Sequence, residues 1–246
     1  MLRPVAATAD GLVERLASAP DTTGLFLDFD GVLAPIVARP DDAAPPPETR
    51  AELERLAGRY RLVCIVSGRP GDDVRARVGV DGIVYVGAHG LELDPEAETW
   101  RERIRSFRAN ADWPAAQIED KGLAVTFHYR DREDEDAAVQ ELETIAADAR
   151  AEGFATRFGR KILEVLPPLD TNKGTAVRTL LGEAGLTCAL VAGDDATDLD
   201  SFRAVEDLGC RLRVAVVSPE APSLLAELAD IVVESPGEFL ELLRKL

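Results

Sequence analysis

The stretch Leu25-Phe26-Leu27-Asp28-Phe29-Asp30-Gly31-Val32-Leu33 decides how the rest of the chain is read. Four of its first five residues are apolar or aromatic, a short run suited to a strand buried on both faces, as parallel sheets require. The run delivers two carboxylates, Asp28 and Asp30, and Gly31 then permits a sharp exit. In extended chain, positions i and i+2 project to the same side. Both acids would therefore crowd at the carboxyl end of a core strand, where open α/β sheets bind ligands. Neighbouring carboxylates repel unless they share a proton or a cation. The pair calls for a metal ion, a proton-transfer partner, or both; the same residues also fit a strand running into an ordinary Asp-Gly turn.

The 246 residues, 46% hydrophobic and 30% charged, suit a globular protein with ample core, as one large domain or two modest ones. Lys and Arg total 28 against 45 Asp and Glu, a formal charge of −17. Such a surface repels nucleic acid and anionic membranes, so neither is expected as a partner. No apolar run approaches membrane-spanning length. The start, Met1-Leu2-Arg3-Pro4, lacks the apolar centre of a signal peptide, and a cytoplasmic location is expected. Cys64, Cys188 and Cys210 match no zinc spacing, and their odd number argues against a disulfide framework; buried, reduced thiols are expected.

Core strands are expected at 24–28, 62–66, 83–86, 188–193, 213–217 and 230–233, mostly with helical stretches between them. After Pro45-Pro46-Pro47, Leu53, Leu56, Ala57 and Tyr60 mark the apolar side of a helix. Another begins near Thr171 and stops at Gly185, and a last one spans 236–246. This alternation implies an α/β fold with a doubly wound parallel sheet. The rhythm breaks between about Glu98 and Pro168, which read as helix (101–111), strand (116–121), strand (123–130), helix (134–151), strand (154–158) and strand (161–166). Two helix-strand-strand units in a row suggest an inserted α+β module with an antiparallel sheet. Domains are thus expected at 1–97 with 169–246, and at 98–168. The insertion holds 11 basic and 15 acidic residues, net −4, leaving −13 for the remainder, so the insertion is the better place to grip an anion.

Reactive groups collect where strands end. Asp28 and Asp30 follow the first strand, and Ser67-Gly68-Arg69 follows Leu62–Val66, placing a hydroxyl and backbone N–H groups at a strand-to-helix turn of the kind phosphate favours. Asn172-Lys173-Gly174 opens a helix with a cation, and Gly193-Asp194-Asp195-Ala196-Thr197-Asp198 follows the strand ending at Ala192. Parallel strands share one polarity, so these groups converge on one edge. The inventory suits phosphoryl transfer through a covalent intermediate: one carboxylate attacks phosphorus, another exchanges a proton with the leaving group, and a hard cation organises the oxygens. Because every candidate ligand is oxygen, Mg²⁺ is favoured.

In this order, Asp28-Phe29-Asp30-Gly31, Ser67, Lys173 and Gly193-Asp194-Asp195 resemble the signatures of the haloacid dehalogenase-like phosphatases. The resemblance implies a Rossmann-like core with a mobile cap inserted after the second signature. It implies Asp28 as the nucleophile that forms a phosphoaspartate. Asp30 would protonate the leaving oxygen, activate water, and touch the metal through its backbone carbonyl. Ser67 and Lys173 would hold the phosphoryl group, with Arg69 beside them among the substrate-binding residues. Asp194 would ligate Mg²⁺ with Asp28, supported by Asp195 and Asp198.

Within the insertion, Leu123, Val125, Phe127 and Tyr129 alternate with Thr126, His128 and Arg130. A sheet with its apolar face on helices would then expose Glu119, Lys121, His128, Arg130 and Glu164, a mixture suited to a polyhydroxylated ligand, although an ordinary solvated sheet face fits too. Gly87-Ala88-His89-Gly90-Leu91-Glu92, Glu119-Asp120-Lys121-Gly122, His128-Tyr129-Arg130 and Gly159-Arg160-Lys161-Ile162-Leu163-Glu164-Val165 resemble blocks of the trehalose-6-phosphate phosphatases. That likeness, spanning residue 25 to about 205, implies a Mg²⁺-dependent phosphoric monoester hydrolase of trehalose biosynthesis. It implies glucose-binding roles for Glu119, Lys121, Arg130 and Glu164; His89 reads as a structural loop residue. Val32, Leu166 and Leu199 depart from residues common in these families. Phosphatases of sucrose phosphate, mannosylglycerate phosphate or glucosylglycerol phosphate, a mutase, a receiver domain and a non-catalytic sugar-phosphate sensor are the competing readings. The expected partner is a small sugar phosphate, and a monomer is expected.

Overall fold

The computed structural model describes residues 9–37, 39–159, 161–218 and 221–246. Met1-Leu2-Arg3-Pro4 and Arg160, used above, lie outside the described residues. In chain order the elements are α1 (Ala9–Ser18), β1 (Thr23–Leu27), α2 (Pro47–Ala57), β2 (Leu62–Val66), α3 (Gly71–Val78), β3 (Val84–Val86), α4 (Arg101–Asn110), β4 (Ile118–Asp120), β5 (Val125–His128), α5 (Glu135–Ala151), β6 (Ala155–Gly159), β7 (Ile162–Leu166), α6 (Lys173–Glu183), β8 (Cys188–Gly193), α7 (Asp198–Ala204), β9 (Cys210–Val216), α8 (Ser223–Leu228), β10 (Ile231–Val233) and α9 (Pro236–Leu243). They form two compact units, Met1–Gly90 with Asn172–Leu246, and Leu91–Thr171.

In the first unit, the described strands make a parallel sheet in the order β10-β9-β8-β1-β2-β3. β1 lies between β8 and β2, with Leu27 abreast of both Ala192 and Ile65. The strand order reverses there, and such a switch point opens a crevice at the strands' carboxyl ends. Asp28 N–H donates to the Ala192 carbonyl at 3.0 Å, carrying the ladder one residue past β1. Side chains alternate between two cores: Leu25, Leu27 and Phe29 pack with residues of α1, α2, α3 and α9, whereas Phe26 packs under α6, α7 and α8. Both faces are therefore covered, as the apolar runs of the sequence require.

In the first unit, β9 and the end of α2 differ from the sequence reading in ways that packing explains. β9 starts at Cys210 rather than 213, because Arg211 and Arg213 interrupt the apolar pattern. Each spends its charge locally, Arg213 on Asp230 at 2.9 Å and Arg211 on the Leu208 carbonyl at 2.9 Å. Tyr60 lies beyond the end of α2, yet it is buried and its hydroxyl donates to the Leu246 carbonyl at 3.1 Å. All three cysteines are free and buried, and burial pushes the Cys64 thiol up. No helix among the described residues is long and apolar enough to cross a membrane.

The second unit carries an antiparallel sheet ordered β4-β5-β7-β6. Val125, Phe127, Leu163 and Val165 face α4 and α5, whose Ile104, Phe107, Leu142 and Ile145 complete the core. Phe107 and Phe127 meet edge to face, with centroids 6.5 Å apart. Asp134 caps α5 by accepting the Ala137 N–H at 2.9 Å, and Gly153, at φ 87°, turns the chain into β6. The unit begins at Leu91, earlier than the sequence reading, because 88–93 is a kinked turn and 97–100 a 3-10 turn, with no sustained periodicity.

Phe127 is fully buried at the middle of that core. Phe127→Ala should cost about 3–5 kcal/mol in urea denaturation. A loss below about 1 kcal/mol would mean that the helices, not this aromatic contact, carry the unit's packing.

Candidate active site

The carboxyl ends of β1, β2 and β8 and the first residues of α6 and α7 bring the expected core residues to one edge of the parallel sheet. Lys173 Nζ lies 2.9 Å from Asp28 Oδ1 and 2.7 Å from Asp198 Oδ1. All three residues are buried, with 3%, 7% and 1% of their surface exposed for Lys173, Asp28 and Asp198. Asp198 Oδ2 accepts the backbone N–H groups of Asp194 and Asp195, both at 3.0 Å. The carboxylate thus shapes the loop after β8 while it holds the ammonium.

Local sequence explains how these groups meet. Asn172 caps α6 reciprocally with Thr175: each backbone N–H donates to the other's side chain at 2.9 Å, which fixes the turn from which Lys173 departs. Gly193 and Gly174 leave necessary room. A Cβ on Gly193 would lie 2.2 Å from Asp198 Cβ, and one on Gly174 would lie 2.3 Å from the Asp200 carbonyl oxygen. Gly31, at φ 76°, turns the chain after Asp30, and a Cβ there would meet Asp194 Oδ2 at 2.2 Å.

Asp28, Asp194 and Asp198 each offer an oxygen within 4.8 Å of the others. Burial raises the Asp28 carboxyl well above the usual range; Lys173 opposes the shift and the charges of Asp198 and Asp194 add to it. Burial, then Asp198, push Asp194 up to about 7. For Lys173 burial opposes the charge, but Asp198 and Asp28 outweigh it and raise its pKa. Three carboxylates around one ammonium make an all-oxygen donor set with surplus negative charge, which fits a hard divalent cation such as Mg²⁺. Both Asp198 oxygens are already engaged, so Asp28 and Asp194 are the residues that would hold the ion directly. Asp195 is exposed and outside this group; its carboxylate accepts the Ala196 N–H.

Ser67 is buried, and its Oγ accepts the Arg69 N–H at 3.2 Å. Arg69 grips Asp30 with two parallel hydrogen bonds, Nε to Oδ2 at 2.7 Å and Nη2 to Oδ1 at 2.9 Å. His89, at φ 55°, supports this turn from behind. Its N–H donates to the Ser67 carbonyl at 2.9 Å, and its ring packs so closely on Gly68 that a Cβ there would lie 2.6 Å from Cε1.

In the second unit, Glu119, Thr126, Glu164 and Arg157 form one row across β4, β5, β7 and β6. Glu164 is buried; Lys121 Nζ donates to its Oε1 at 2.9 Å and Arg157 Nε to its Oε2 at 3.0 Å. His128 Nε2 lies 2.9 Å from Glu119 Oε2. Arg130 is not in the row: β5 ends at His128, and Arg130 stands exposed in the following turn. Arg157 was missed in the sequence. The period-two pattern of Ala155, Arg157 and Gly159 is too weak to show a face, and only pairing with β7 sets it opposite Glu164.

Lys173→Met keeps the length of the side chain and removes its charge, leaving Asp28 and Asp198 without their shared cation. A loss of about 3–5 kcal/mol in denaturant titrations is expected, since breaking a buried ion pair strands the partner charges. A variant as stable as the parent would mean that neighbouring N–H groups alone satisfy the two acids.

Residues 26–224 match the family model described as trehalose-phosphatase. A trehalose-phosphate phosphatase of Mycobacterium marinum is 33% identical over 82% of this chain and 59% of its own length. A probable trehalose-phosphate phosphatase of Sinorhizobium fredii is 32% identical over 89% of this chain and 88% of its own. The chain therefore spans less than two thirds of the mycobacterial relative and most of the rhizobial one. A crystal structure of a trehalose-6-phosphate phosphatase related protein superposes with a TM-score of 0.73 at 26% identity, covering 90% of this chain and 95% of that one. With a match that runs from the middle of β1 into α8 and takes in every strand-end group described above, the chain belongs to the trehalose-phosphatase family.

Proposed function

We propose that this chain hydrolyses trehalose 6-phosphate to trehalose and phosphate through a phosphoaspartate on Asp28. The observation that carries the reading is the buried Asp28 carboxylate, held by Lys173 and grouped with Asp194 and Asp198 at the switch point of the sheet. Membership of the trehalose-phosphatase family supports the substrate.

Asp28 attacks phosphorus, and the bond from phosphorus to the sugar oxygen breaks. Asp30 gives its proton to that oxygen as the alcohol departs. Asp30 then takes a proton from water, whose oxygen attacks the phosphoaspartate at phosphorus, releasing inorganic phosphate and restoring Asp28. Lys173 and the Ser67 hydroxyl hold the phosphoryl oxygens, where charge spreads during transfer. Asp28 and Asp194 would hold Mg²⁺, which would supply countercharge to the nucleophile and to the phosphoryl oxygens. We assign Lys121, Glu119, His128, Glu164 and Arg130 to the glucose hydroxyls, through charge-assisted hydrogen bonds. We place the substrate-specifying role in the inserted module and the chemistry in the unit built on the parallel sheet.

Phosphate release should be fastest on trehalose 6-phosphate within a panel that includes sucrose phosphate, mannosylglycerate phosphate and glucosylglycerol phosphate. Equal rates on all would sink the disaccharide assignment, and tight binding without release would favour a sensor. Chelation with EDTA should abolish turnover and added Mg²⁺ restore it. Asp28→Asn should remove at least about 10³-fold of kcat, as loss of a nucleophile does, with an unchanged circular dichroism spectrum. Substantial residual turnover would take the nucleophile's role from Asp28.

A further inference from the structure

A general acid must stay aimed at one oxygen while it gives and takes a proton. Asp30 stands poorly placed to do so unaided. It follows the end of β1, precedes the turn at Gly31, and 35% of its side chain is exposed. Arg69 removes that freedom by binding both carboxylate oxygens at 2.7 and 2.9 Å, which fixes the plane of the carboxylate as well as its position.

The guanidinium is itself immobilised. Its side chain is only 13% exposed and lies over the Phe29 ring, 5.6 Å from the centroid. Nη1 reaches Asp73 Oδ2 at 3.5 Å, and the same oxygen accepts Arg77 Nε at 2.8 Å. Arg77 Nη1 donates in turn to the Asp41 carbonyl at 2.8 Å and the Ala43 carbonyl at 3.2 Å. A file of alternating charges thus runs from the segment before α2, through α3, to Asp30. The fork that a phosphate or sugar ligand would need is already occupied by carboxylates of this chain.

We propose that Arg69 is a positioning residue, acting on the reaction through Asp30 rather than by binding the substrate. The inference rests on the reading of Asp30 as the acid and base of a phosphatase. Lysine cannot replace it, because a single ammonium cannot hold both oxygens in one plane.

The test compares wild type, Arg69→Ala, Arg69→Lys, Asp30→Ala and the double variant Arg69→Ala/Asp30→Ala. Steady-state kinetics on trehalose 6-phosphate are paired with single-turnover release of p-nitrophenol from p-nitrophenyl phosphate, a step that needs little protonation and so reports attack on phosphorus without Asp30. Arg69→Ala should lower kcat on trehalose 6-phosphate by about 10- to 100-fold with KM changed less than about threefold. Arg69→Lys should recover little of that loss while keeping the thermal midpoint, which separates positioning from folding if the alanine variant is unstable. Once Asp30 is alanine, removing Arg69 should change the rate of that p-nitrophenol release less than about threefold, since residues that act as a unit are not additive. Additive losses in the double variant, or a raised KM at constant kcat, would overturn the inference while the phosphatase reading stands. A wild type that releases phosphate from neither ester would overturn that reading, and this inference with it.

Discussion

An ammonium bound between two carboxylates away from solvent sets the terms for everything around it. Each of Asp28, Lys173 and Asp198 forfeits several kcal/mol of hydration, and close pairing with further hydrogen bonds must offset that loss. Lys173 also opens α6, where the helix dipole disfavours a cation. Its position is tenable only because Asp28 and Asp198 lie within 3 Å. This demand reaches the backbone: α6 and α7 approach so closely that Gly174 has no room for a side chain, and the carboxylate of Asp198 occupies the space a Cβ on Gly193 would need. The two glycines and the acid are one packing solution rather than separate features.

The inserted unit solves the same problem with the opposite balance. Glu164 is as buried as the core acids, but it faces two cations, Lys121 and Arg157, where Asp28, Asp194 and Asp198 share one. Surplus negative charge around Lys173 fits a divalent cation. A carboxylate balanced by two cations has no such surplus. The two buried clusters thus differ in charge balance rather than in depth.

The sequence was most legible where burial dictates residue type. Central strands must be apolar on both faces, so β1, β2 and β8 could be read directly, and the change of rhythm near residue 98 betrayed the antiparallel module. Features that depend on pairing between distant segments were not legible. Asp30 and Arg69 meet only because β1 and β2 pair with Leu27 abreast of Ile65. Arg157 meets Glu164 only through the register of β6 on β7. Arg130 was expected on a strand face because the alternation continues in sequence beyond the point where β5 stops pairing. Among the acids from 194 to 198, composition could not rank Asp195 against Asp198. The start of α7 decides it, turning Asp198 back onto the N–H groups of Asp194 and Asp195.

The connections to the insertion follow from the same close packing. The chain leaves the first unit at Gly90 and returns at Asn172, and these residues touch: a Cβ on Gly90 would lie 2.6 Å from the Asn172 carbonyl oxygen. A loop whose ends already meet adds little closure cost to the unit it interrupts, so the parallel sheet tolerates a whole module there. Both ends are also bonded to residues of the site. Ala88 and His89 donate to the carbonyls of Arg69 and Ser67, and Asn172 caps the helix that begins with Lys173. The left-handed conformations of Ala88, His89 and Gly90 hold this junction against the Ser67 turn, at a cost a free loop would not bear. Strain of that kind persists only where surrounding contacts over-determine the backbone, and here those contacts are the ones that place the Ser67 hydroxyl and aim Arg69 at Asp30.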